Sequence, residues 1–366
     1  MTTTLRLGGR SLSVVGRART YVCGVTPYDV THLGHAATFV WMDVADRLLR
    51  RLGVQVEVCR NVTDVDDVLF VAAATAGANY DSFAAVQLFH FDRDMAALGV
   101  RKPIHEPRAH TFVPQVVKLA EALLERDAAY VAGGSVYFRG AAAVARTTLP
   151  RADAERLLAA NGGRNEDPHK QDVLDQAVWQ ASRDVEPAWP SPWGPGRPGW
   201  HAECTAMALS TYGSSMDLHA GGADLTFPHH AYEAAMAEAV TGVTPFARAW
   251  LHVGTVRLAG EKMAKSTGNL VFVADLVERS SGPQVRMLLL DRRYDVAWDF
   301  TEDGLAGAGK RLDDLRVAAG KPHVDAAAQA AVFEVLADDL DVTGAVDLAI
   351  REGGQAARDL LVVLAL

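Results

Sequence analysis

Cysteine is scarce in this chain, since only 3 of the 366 residues are Cys. Few thiols in odd number exclude a disulfide scaffold and are typical of a reducing compartment, where cysteines stay free for packing or metal binding. The sequence also lacks an apolar run of about 18 residues and a basic N-terminal segment followed by an apolar one, which predicts no membrane span and no secretion signal. We therefore expect a cytoplasmic protein with no membrane partner.

Basic residues are in the minority, with 36 Lys and Arg against 45 Asp and Glu, a net charge of -9, and they form no run longer than two. An acidic surface disfavours nucleic acid as a partner, although a local basic face can overcome the average. Hydrophobic residues make up 49% of the chain, which predicts a globular protein of about two domains. We expect a monomer that binds small molecules.

The first part of the chain predicts half of a nucleotide-binding α/β fold. Residues 21–25 are apolar and flanked by turn formers, which predicts a buried strand. Apolar residues recur at three- and four-residue spacing over 33–52 and predict a helix that ends at Gly53. Alternating valines over 54–59 predict a second strand, parallel to the first through a right-handed crossover.

The remainder predicts an insertion, a second half-sheet and a helical end. Residues 129–140 suggest a hairpin, whereas 161–200 are too rich in Gly and Pro for regular structure. We expect an insertion at about 111–195, then a strand near 217–219, a helix over 228–240 and a strand near 251–255. The fold class is therefore α/β, with a Rossmann-like catalytic domain over 1–260 and a mostly helical part over 261–366.

The segment His32-Leu-Gly-His35 stands where the first predicted strand turns into the first helix. Backbone N–H groups at a helix start attract anions, and a glycine lets a nucleotide approach the backbone closely. Two histidines three residues apart share a helix face and can donate hydrogen bonds to phosphate oxygens. Taken alone, the four residues also fit a pair of histidines that cap a helix.

Two lysines, Lys262 and Lys265, lie between Gly260 and Gly268 in a segment that predicts a mobile loop. They fit a solvated loop, or charges that neutralise a leaving pyrophosphate. This loop and His32-x-Gly-His35 upstream are in the order of the two signature motifs of class I aminoacyl-tRNA synthetases, and the chain resembles that family. Ala264 replaces the first Ser of the usual Lys-Met-Ser-Lys-Ser motif, which removes a hydroxyl and keeps both charges.

Three separated residues, Cys23, Cys204 and His229, have the chemistry of a Zn²⁺ site with room for another ligand. Individually they also fit core cysteines and a helix-capping histidine. Together they resemble the cysteinyl branch of the class I synthetases, which implies one zinc ion per chain that selects cysteine through its thiolate. Glu233, four residues after His229, fits either a fourth ligand or a purely helical role.

The resemblance covers nearly the whole chain. It is sharpest in the segments 21–29, 31–38, 61–67 and 189–200. The first two are similar to the mycothiol cysteine ligases, which join L-cysteine to the amine of glucosaminyl-inositol. After the lysine loop a short helical tail remains, so we expect no full anticodon-reading domain.

The resemblance implies an ATP-dependent, AMP-forming ligase that uses ATP with Mg²⁺, makes cysteinyl-adenylate and passes the cysteinyl group to an amino-sugar acceptor. A cysteinyl-tRNA synthetase without its anticodon domain, or a cysteine ligase for another small amine, stays open. The implied catalytic residues are His32, His35, Lys262 and Lys265. The implied substrate and adenylate residues are Cys23, Gly24, Val25, Thr26, Thr38, Asn61, Val62, Thr63, Trp200, Gly222, Ala223, Asp224 and Val256. Asp64, Asp66 and Asp67 fit either a Mg²⁺ cluster or a loop and helix N-cap.

Overall fold

The computed structural model describes residues 4–28, 31–182, 187–263 and 268–366 of this mixed α/β protein. Its strands are β1 (Thr4–Leu7), β2 (Arg10–Ser13), β3 (Arg17–Val25), β4 (Gln55–Val62), β5 (Ala129–Ala132), β6 (Ser135–Phe138), β7 (Gln176–Ala181), β8 (Gly196–Pro198), β9 (Met216–Gly222), β10 (Ala247–Val253), β11 (Val256–Leu258), β12 (Glu261–Lys262) and β13 (Trp298–Asp299). The central sheet has the strand order β10-β9-β3-β4, and all three pairings are parallel.

The α-helices surround this sheet and form the C-terminal part. They are α1 (Leu33–Arg51), α2 (Asp67–Thr75), α3 (Tyr80–Ala97), α4 (Val113–Glu125), α5 (Ala141–Val144), α6 (Arg151–Ala160), α7 (Trp200–Tyr212), α8 (Ala231–Thr241), α9 (Val273–Arg279), α10 (Gly282–Leu290), α11 (Glu302–Ala319), α12 (Ala326–Ala337), α13 (Val342–Glu352) and α14 (Gly354–Leu364). Among the described residues, none of the helices combines the length and the apolar character that a bilayer span requires.

The β3–α1–β4 unit confirms the strand, helix and strand predicted from the apolar spacing. β3 pairs with β4 on one side and with β9 on the other, so that Tyr21 lies opposite both Cys59 and His219. The chain leaves β3 towards β4, whereas β9 and β10 lie on the other side. This change of direction opens a crevice at the carboxyl ends of β3 and β9, where ligands bind in open α/β sheets.

The second half of the sheet is also present, with different bounds. The predicted strands near 217–219 and 251–255 are β9 and β10, and the helix expected over 228–240 is α8, which begins at Ala231. Residues 226–230 form a separate turn before it, because Phe227 has an extended backbone that interrupts the helix. The carboxyl ends of β3, β4, β9 and β10 therefore all point towards the same edge.

The insertion contains a four-stranded antiparallel sheet in the order β5-β6-β7-β8. The hairpin predicted over 129–140 is β5 and β6. The expectation that 161–200 holds no regular structure is wrong, because β7 and β8 lie within it. Val178 and Trp179 of β7 are completely buried between the sheet and its helices, and this burial outweighs the surrounding turn formers.

The C-terminal helices share one apolar core with the central sheet and α1. Arg286 of α10 is fully buried, where it pairs with Asp43 of α1 and donates to the carbonyls of Leu98 and Leu364. Within this mostly helical part, β13 pairs in parallel with β11. The domain division at residue 260 stays a prediction.

Candidate active site and metal centre

A cavity of about 1690 Å³ opens at the carboxyl ends of the parallel strands. The predicted site residues that line it are Cys23, Gly24, Val25, Thr26, His32, His35, Thr38, Asn61, Thr63, Trp200, Cys204, Gly222, Asp224, His229, Val256 and Lys262. Val62 is fully buried in β4 and Ala223 follows the end of β9, and neither is among the described lining residues. Lys265, like Ala264, lies outside the described residues.

Four buried side chains meet beside this cavity. Cys23 comes from the end of β3, Cys204 from α7, His229 from the turn 226–230 and Glu233 from the first turn of α8. One ligand atom from each lies within 4.8 Å of the other three. Two thiols, an imidazole and a carboxylate are the donors of a tetrahedral zinc site. The residues present therefore fit zinc, and Glu233 lies where a fourth ligand would.

Hydrogen bonds and charge prepare this cluster for a cation. His229 Nε2 lies 2.8 Å from Glu233 Oε1, and the Cys23 thiol donates to the same oxygen at 3.3 Å. Burial alone would lower the pKa of His229, but the Glu233 carboxylate and Cys204 raise it to about 10. Burial likewise opposes ionisation of Cys204, yet its hydrogen bond with Cys23 and the neighbouring His229 lower the pKa of that thiol. Thiolate character therefore concentrates on Cys204.

The Asn61 side chain connects the cluster to the strand ends. Its Nδ2 donates to Cys204 Sγ at 2.8 Å, and its Oδ1 accepts from the Gly24 N–H at 2.6 Å. A Cβ on Gly24 would overlap the backbone carbonyl of Asn61, so only glycine allows β3 and β4 to approach this closely. Asn61 therefore fixes the backbone at the cavity floor and also donates to a thiol sulfur.

A group of histidines behind the cluster is absent from the sequence-based site. His219 Nε2 lies 2.7 Å from Glu233 Oε2, and His230 Nδ1 lies 2.8 Å from His252 Nε2. The Trp250 ring stacks on His219 with centroids 4.7 Å apart. Burial lowers the pKa of His230 well below its usual range and that of His252 to about 4. The signal was available, since a histidine inside an apolar strand needs a buried partner.

The two histidines of the first motif lie at the start of α1. The His32 Nδ1 accepts from the Gly34 N–H at 3.1 Å and caps the helix, which leaves Nε2 to carry the ring proton. The imidazoles of His32 and His35 stack with centroids 3.8 Å apart. Burial lowers the pKa of His35 to about 4, so its ring is neutral at pH 7. Capping and anion binding are therefore compatible roles for this motif.

Lys262 also lines this cavity, and the expectation that it lies in a loop is wrong, because it belongs to β12 and pairs with Arg257 of β11. Lys262 Nζ pairs with Asp224 Oδ2 at 2.6 Å, and both groups act electrostatically on His35. The structure thus brings together two motifs that are more than two hundred residues apart in the chain. Gly222 is the last residue of β9 and Asp224 follows the strand by two residues, as expected for groups that face a nucleotide bound at the sheet edge.

Several smaller contacts complete the cavity wall between these two ends. The hydroxyl groups of Thr26 and Thr63 lie 2.7 Å apart, across the ends of β3 and β4. The Trp200 ring stacks on His229 with centroids 4.1 Å apart, so that an aromatic face borders the metal cluster. An aminoacyl group between them would touch polar hydroxyls on one side and an aromatic surface on the other.

The three aspartates after β4 are held by protein partners. Asp64 is fully buried and lies 2.6 Å from His110 Nδ1 and 2.9 Å from Arg108 Nε. Asp66 caps α2 by accepting from the Val68 N–H at 2.8 Å. These contacts favour the loop and N-cap interpretation over a Mg²⁺ cluster.

Comparisons with known proteins agree on the family of this fold. Residues 11–310 match the family model for the tRNA synthetases class I (C) catalytic domain. A protein of Parafrankia sp. (strain EAN1pec) named L-cysteine:1D-myo-inositol 2-amino-2-deoxy-alpha-D-glucopyranoside ligase is 42% identical over 92% of this chain and 78% of its own length. A protein of the same name from Acidothermus cellulolyticus is 44% identical, over 93% of this chain and 86% of its own.

The fold similarity extends to solved structures at low sequence identity. The Mycobacterium tuberculosis methionyl-tRNA synthetase in complex with methionyl-adenylate superposes with a TM-score of 0.63 at 18% identity. The match covers 96% of this chain and 82% of that chain. At this identity the likeness concerns the fold.

Proposed function

This chain belongs to the family of class I (C) tRNA synthetase catalytic domains that includes the cysteine:glucosaminyl-inositol ligases, and from this membership we propose that it is an ATP-dependent ligase acting on L-cysteine. We propose further that it forms cysteinyl-adenylate and transfers the cysteinyl group to the amine of glucosaminyl-inositol. The product would be an intermediate of mycothiol biosynthesis. The acceptor is the part of the proposal that rests on the names of the relatives.

One observation carries the proposal. A single cavity is lined at one end by Cys23, Cys204 and His229, and at the other by His35 and Lys262. The first end has the chemistry to hold a thiol substrate through a soft metal, and the second has the chemistry to hold phosphate groups. An enzyme that activates cysteine with ATP needs both ends in one cavity.

The chain's own residues account for the activation step. The first backbone N–H groups of α1, the Nε2–H of His32 and the ammonium of Lys262 are donors for the phosphates of ATP. With ATP held there, the carboxylate of cysteine attacks the α-phosphorus and pyrophosphate leaves, which gives cysteinyl-adenylate. Since negative charge develops on the phosphoryl oxygens, donors already in place lower the barrier without reorganisation. Gly222, Ala223 and Asp224 would face the ribose, and Val256 the adenine.

We assign the selection of cysteine over other amino acids to the buried cluster. Cys23, Cys204 and His229 would hold a zinc ion, beside which Glu233 is either a fourth ligand or the hydrogen-bond partner of His229. The chemistry that zinc would supply there is to accept the thiolate of the substrate, which neither a hydroxyl nor a methyl group can replace. Trp200 stacks on His229 and gives this end of the cavity an aromatic wall. The hydroxyls of Thr26 and Thr63 border the path from the cluster to the adenylate.

In the second step the acceptor amine attacks the carbonyl carbon of cysteinyl-adenylate. The new C–N bond forms, the C–O bond to phosphate breaks, and AMP leaves with the electron pair. Proximity supplies much of this rate, because both substrates occupy one cavity.

The proposal is tested by mass spectrometry on the purified protein with ATP, Mg²⁺, L-cysteine and glucosaminyl-inositol. A parallel reaction contains unmodified tRNA in place of the amino sugar. We expect a cysteinyl-glucosaminyl-inositol mass that appears together with AMP and requires ATP. Cysteine-dependent pyrophosphate release with no change in the amino sugar would reject the acceptor, and the absence of any cysteine-dependent reaction would reject the ligase itself.

A further inference from the structure

The cavity continues past the groups assigned to cysteine and ATP to a wall formed by the insertion. We call this surface the insertion wall, and its polar lining residues include Tyr137, Arg164, Asn165, Asp167, Lys170 and Gln180. Single small-molecule sites usually have about 300–1,000 Å³. A cavity of about 1690 Å³ therefore has room for a further substrate beside an adenylate.

The insertion wall is anchored to the central domain by a network of ion pairs. Asp67, the first residue of α2, accepts from Arg197 at 2.6 Å and from Arg164 at 3.2 Å. With its amide oxygen turned towards them, Gln180 accepts from the same two guanidinium groups at 2.7–2.9 Å. Arg197 is only 3% exposed, whereas Asp67 and Arg164 are about half exposed, so the network has a buried anchor and an accessible edge. The wall thus has a defined position relative to the ends of the parallel strands.

Two buried polar atoms of the wall lack a hydrogen-bond partner among the described residues. They are Lys170 Nζ and Asn165 Oδ1, an ammonium donor and an amide acceptor. The nearby Tyr137 hydroxyl and Asp167 Oδ2 are paired at 2.7 Å and offer further oxygens. Both atoms are shielded from solvent in this conformation, so a ligand hydroxyl reaches them after a rotation of the side chain. It would then satisfy a donor or an acceptor that the protein leaves unpaired, because a hydroxyl both donates and accepts.

The charge around the wall indicates the class of this ligand. Four carboxylates line this part of the cavity with three cationic side chains. The carboxylates are Asp66, Asp67, Glu166 and Asp167, and the cations are Arg164, Lys170 and Arg197. A surface that binds the nucleic-acid backbone needs an excess of cations, which this wall lacks. A neutral polyol that carries an amine matches both the balance of charge and the mixture of donors and acceptors.

We propose that the insertion wall is the acceptor subsite and binds the hydroxyl groups of a polyhydroxylated amine, with Lys170 and Asn165 as specificity residues. This inference rests on the proposed function, since it assumes that cysteinyl-adenylate occupies the adjacent part of the cavity. The amine then faces the carbonyl carbon, where its nitrogen forms the amide bond, AMP leaves and the amine proton passes to solvent.

The test compares Lys170→Met and Asn165→Ala with the unchanged chain, and uses Lys118→Met as the matched control. Lys118 lies on the exposed face of α4, where it pairs only with Glu121 among the described residues. We expect Lys170→Met to raise the KM for glucosaminyl-inositol by about 10- to 100-fold, the loss of a charged hydrogen bond. The KM values for cysteine and ATP in pyrophosphate exchange should move far less, which a purely structural role would not produce.

The outcomes separate this inference from the proposed function. If the unchanged chain shows no cysteine-dependent pyrophosphate exchange, the ligase proposal itself fails. If exchange and ligation are normal and both wall variants keep the acceptor KM of the control, the acceptor subsite is rejected. Charging of tRNA, with loss of that charging in the wall variants, would replace the polyol by a polyanion and overturn the inference. Asn165→Ala carries the same comparison if Lys170→Met does not fold.

Discussion

Replacing Glu233 by glutamine removes one charge from the most buried part of the site and leaves its shape nearly unchanged. Glu233 is completely buried, and its two oxygens have different partners. Oε1 faces His229 and Cys23, whereas Oε2 faces His219. Burial opposes the charge of this carboxylate, but His229 and His219 outweigh it and lower the pKa of Glu233 well below its usual range. The side chain is therefore ionised at pH 7.

The expected loss of zinc affinity in Glu233→Gln follows from these contacts. The amide of the variant can keep one acceptor oxygen, but its NH₂ group cannot accept from His219 Nε2. If the His219 proton moves to Nδ1, which has no hydrogen-bond partner within the described residues, Nε2 can accept from that NH₂ group, so the main loss in the variant is the negative charge beside the cluster. Losing a partner of this kind typically weakens metal affinity by about 10- to 100-fold, which is about 1.4–2.7 kcal/mol. A larger loss would indicate that Glu233 itself ligates the metal.

The assay is competition for zinc between the protein and a chelator of known affinity, with zinc content measured by elemental analysis. Glu278→Gln is the control, because Glu278 lies exposed on α9. We expect the dissociation constant for zinc to rise in Glu233→Gln alone. Equal zinc affinity in both variants and the unchanged chain would refute the argument that this carboxylate stabilises a cation in the cluster.

Three further expectations follow from the same structure. Cys204→Ser should lower zinc content and abolish the preference for cysteine over serine in pyrophosphate exchange, so a fully active zinc-free variant would contradict metal-based selection. The pKa of His35 is about 4 in the free protein, and nearby phosphates should raise it, so the binding of ATP should be accompanied by proton uptake between about pH 5 and 6. Calorimetry in buffers of different ionisation enthalpy measures the number of protons taken up, and His35→Asn should remove this uptake. Arg286→Met should lower the free energy of unfolding by about 3–5 kcal/mol in denaturant titration, because Asp43 keeps only Arg47 as an ion-pair partner and the carbonyls of Leu98 and Leu364 lose a buried donor. The exposed Arg351→Met should change it little.

The elements that the sequence predicts well are those with a regular apolar pattern. Apolar residues recur at three- and four-residue spacing along α1 and at every second residue along β4. Both elements are present with nearly the expected bounds. β7 was missed because its sequence neighbours are Gly, Pro and Asp, and only contacts with distant residues bury Val178 and Trp179. β13 has two residues and exists through its pairing with β11, a contact with no local signal.

For the site, sequence motifs identify residues that lie near each other in the chain and similarity to a family connects the rest. The placement of Cys23 beside Glu233 depends on β3 being central in the sheet, which residue spacing cannot establish. The insertion wall had no sequence signal at all. Its residues come from a turn-rich loop and two strands, and their common property is that they face one cavity.

The two ends of the cavity are connected by the backbone of β3, and under the proposed function this connection would make the selection and the activation of cysteine parts of one event. Cys23 belongs to the metal cluster, and Gly24 to Thr26 continue directly towards the start of α1. Under the proposed function, a cysteine held by its sulfur beside Cys23 would present its carboxylate towards the phosphate end. Serine lacks the soft ligand that would position it, so discrimination would fall on the activation step. A site that rejects a missing polar ligand can discriminate by roughly 10⁴-fold without a second, hydrolytic site. The insertion is then free to form a wall for the acceptor.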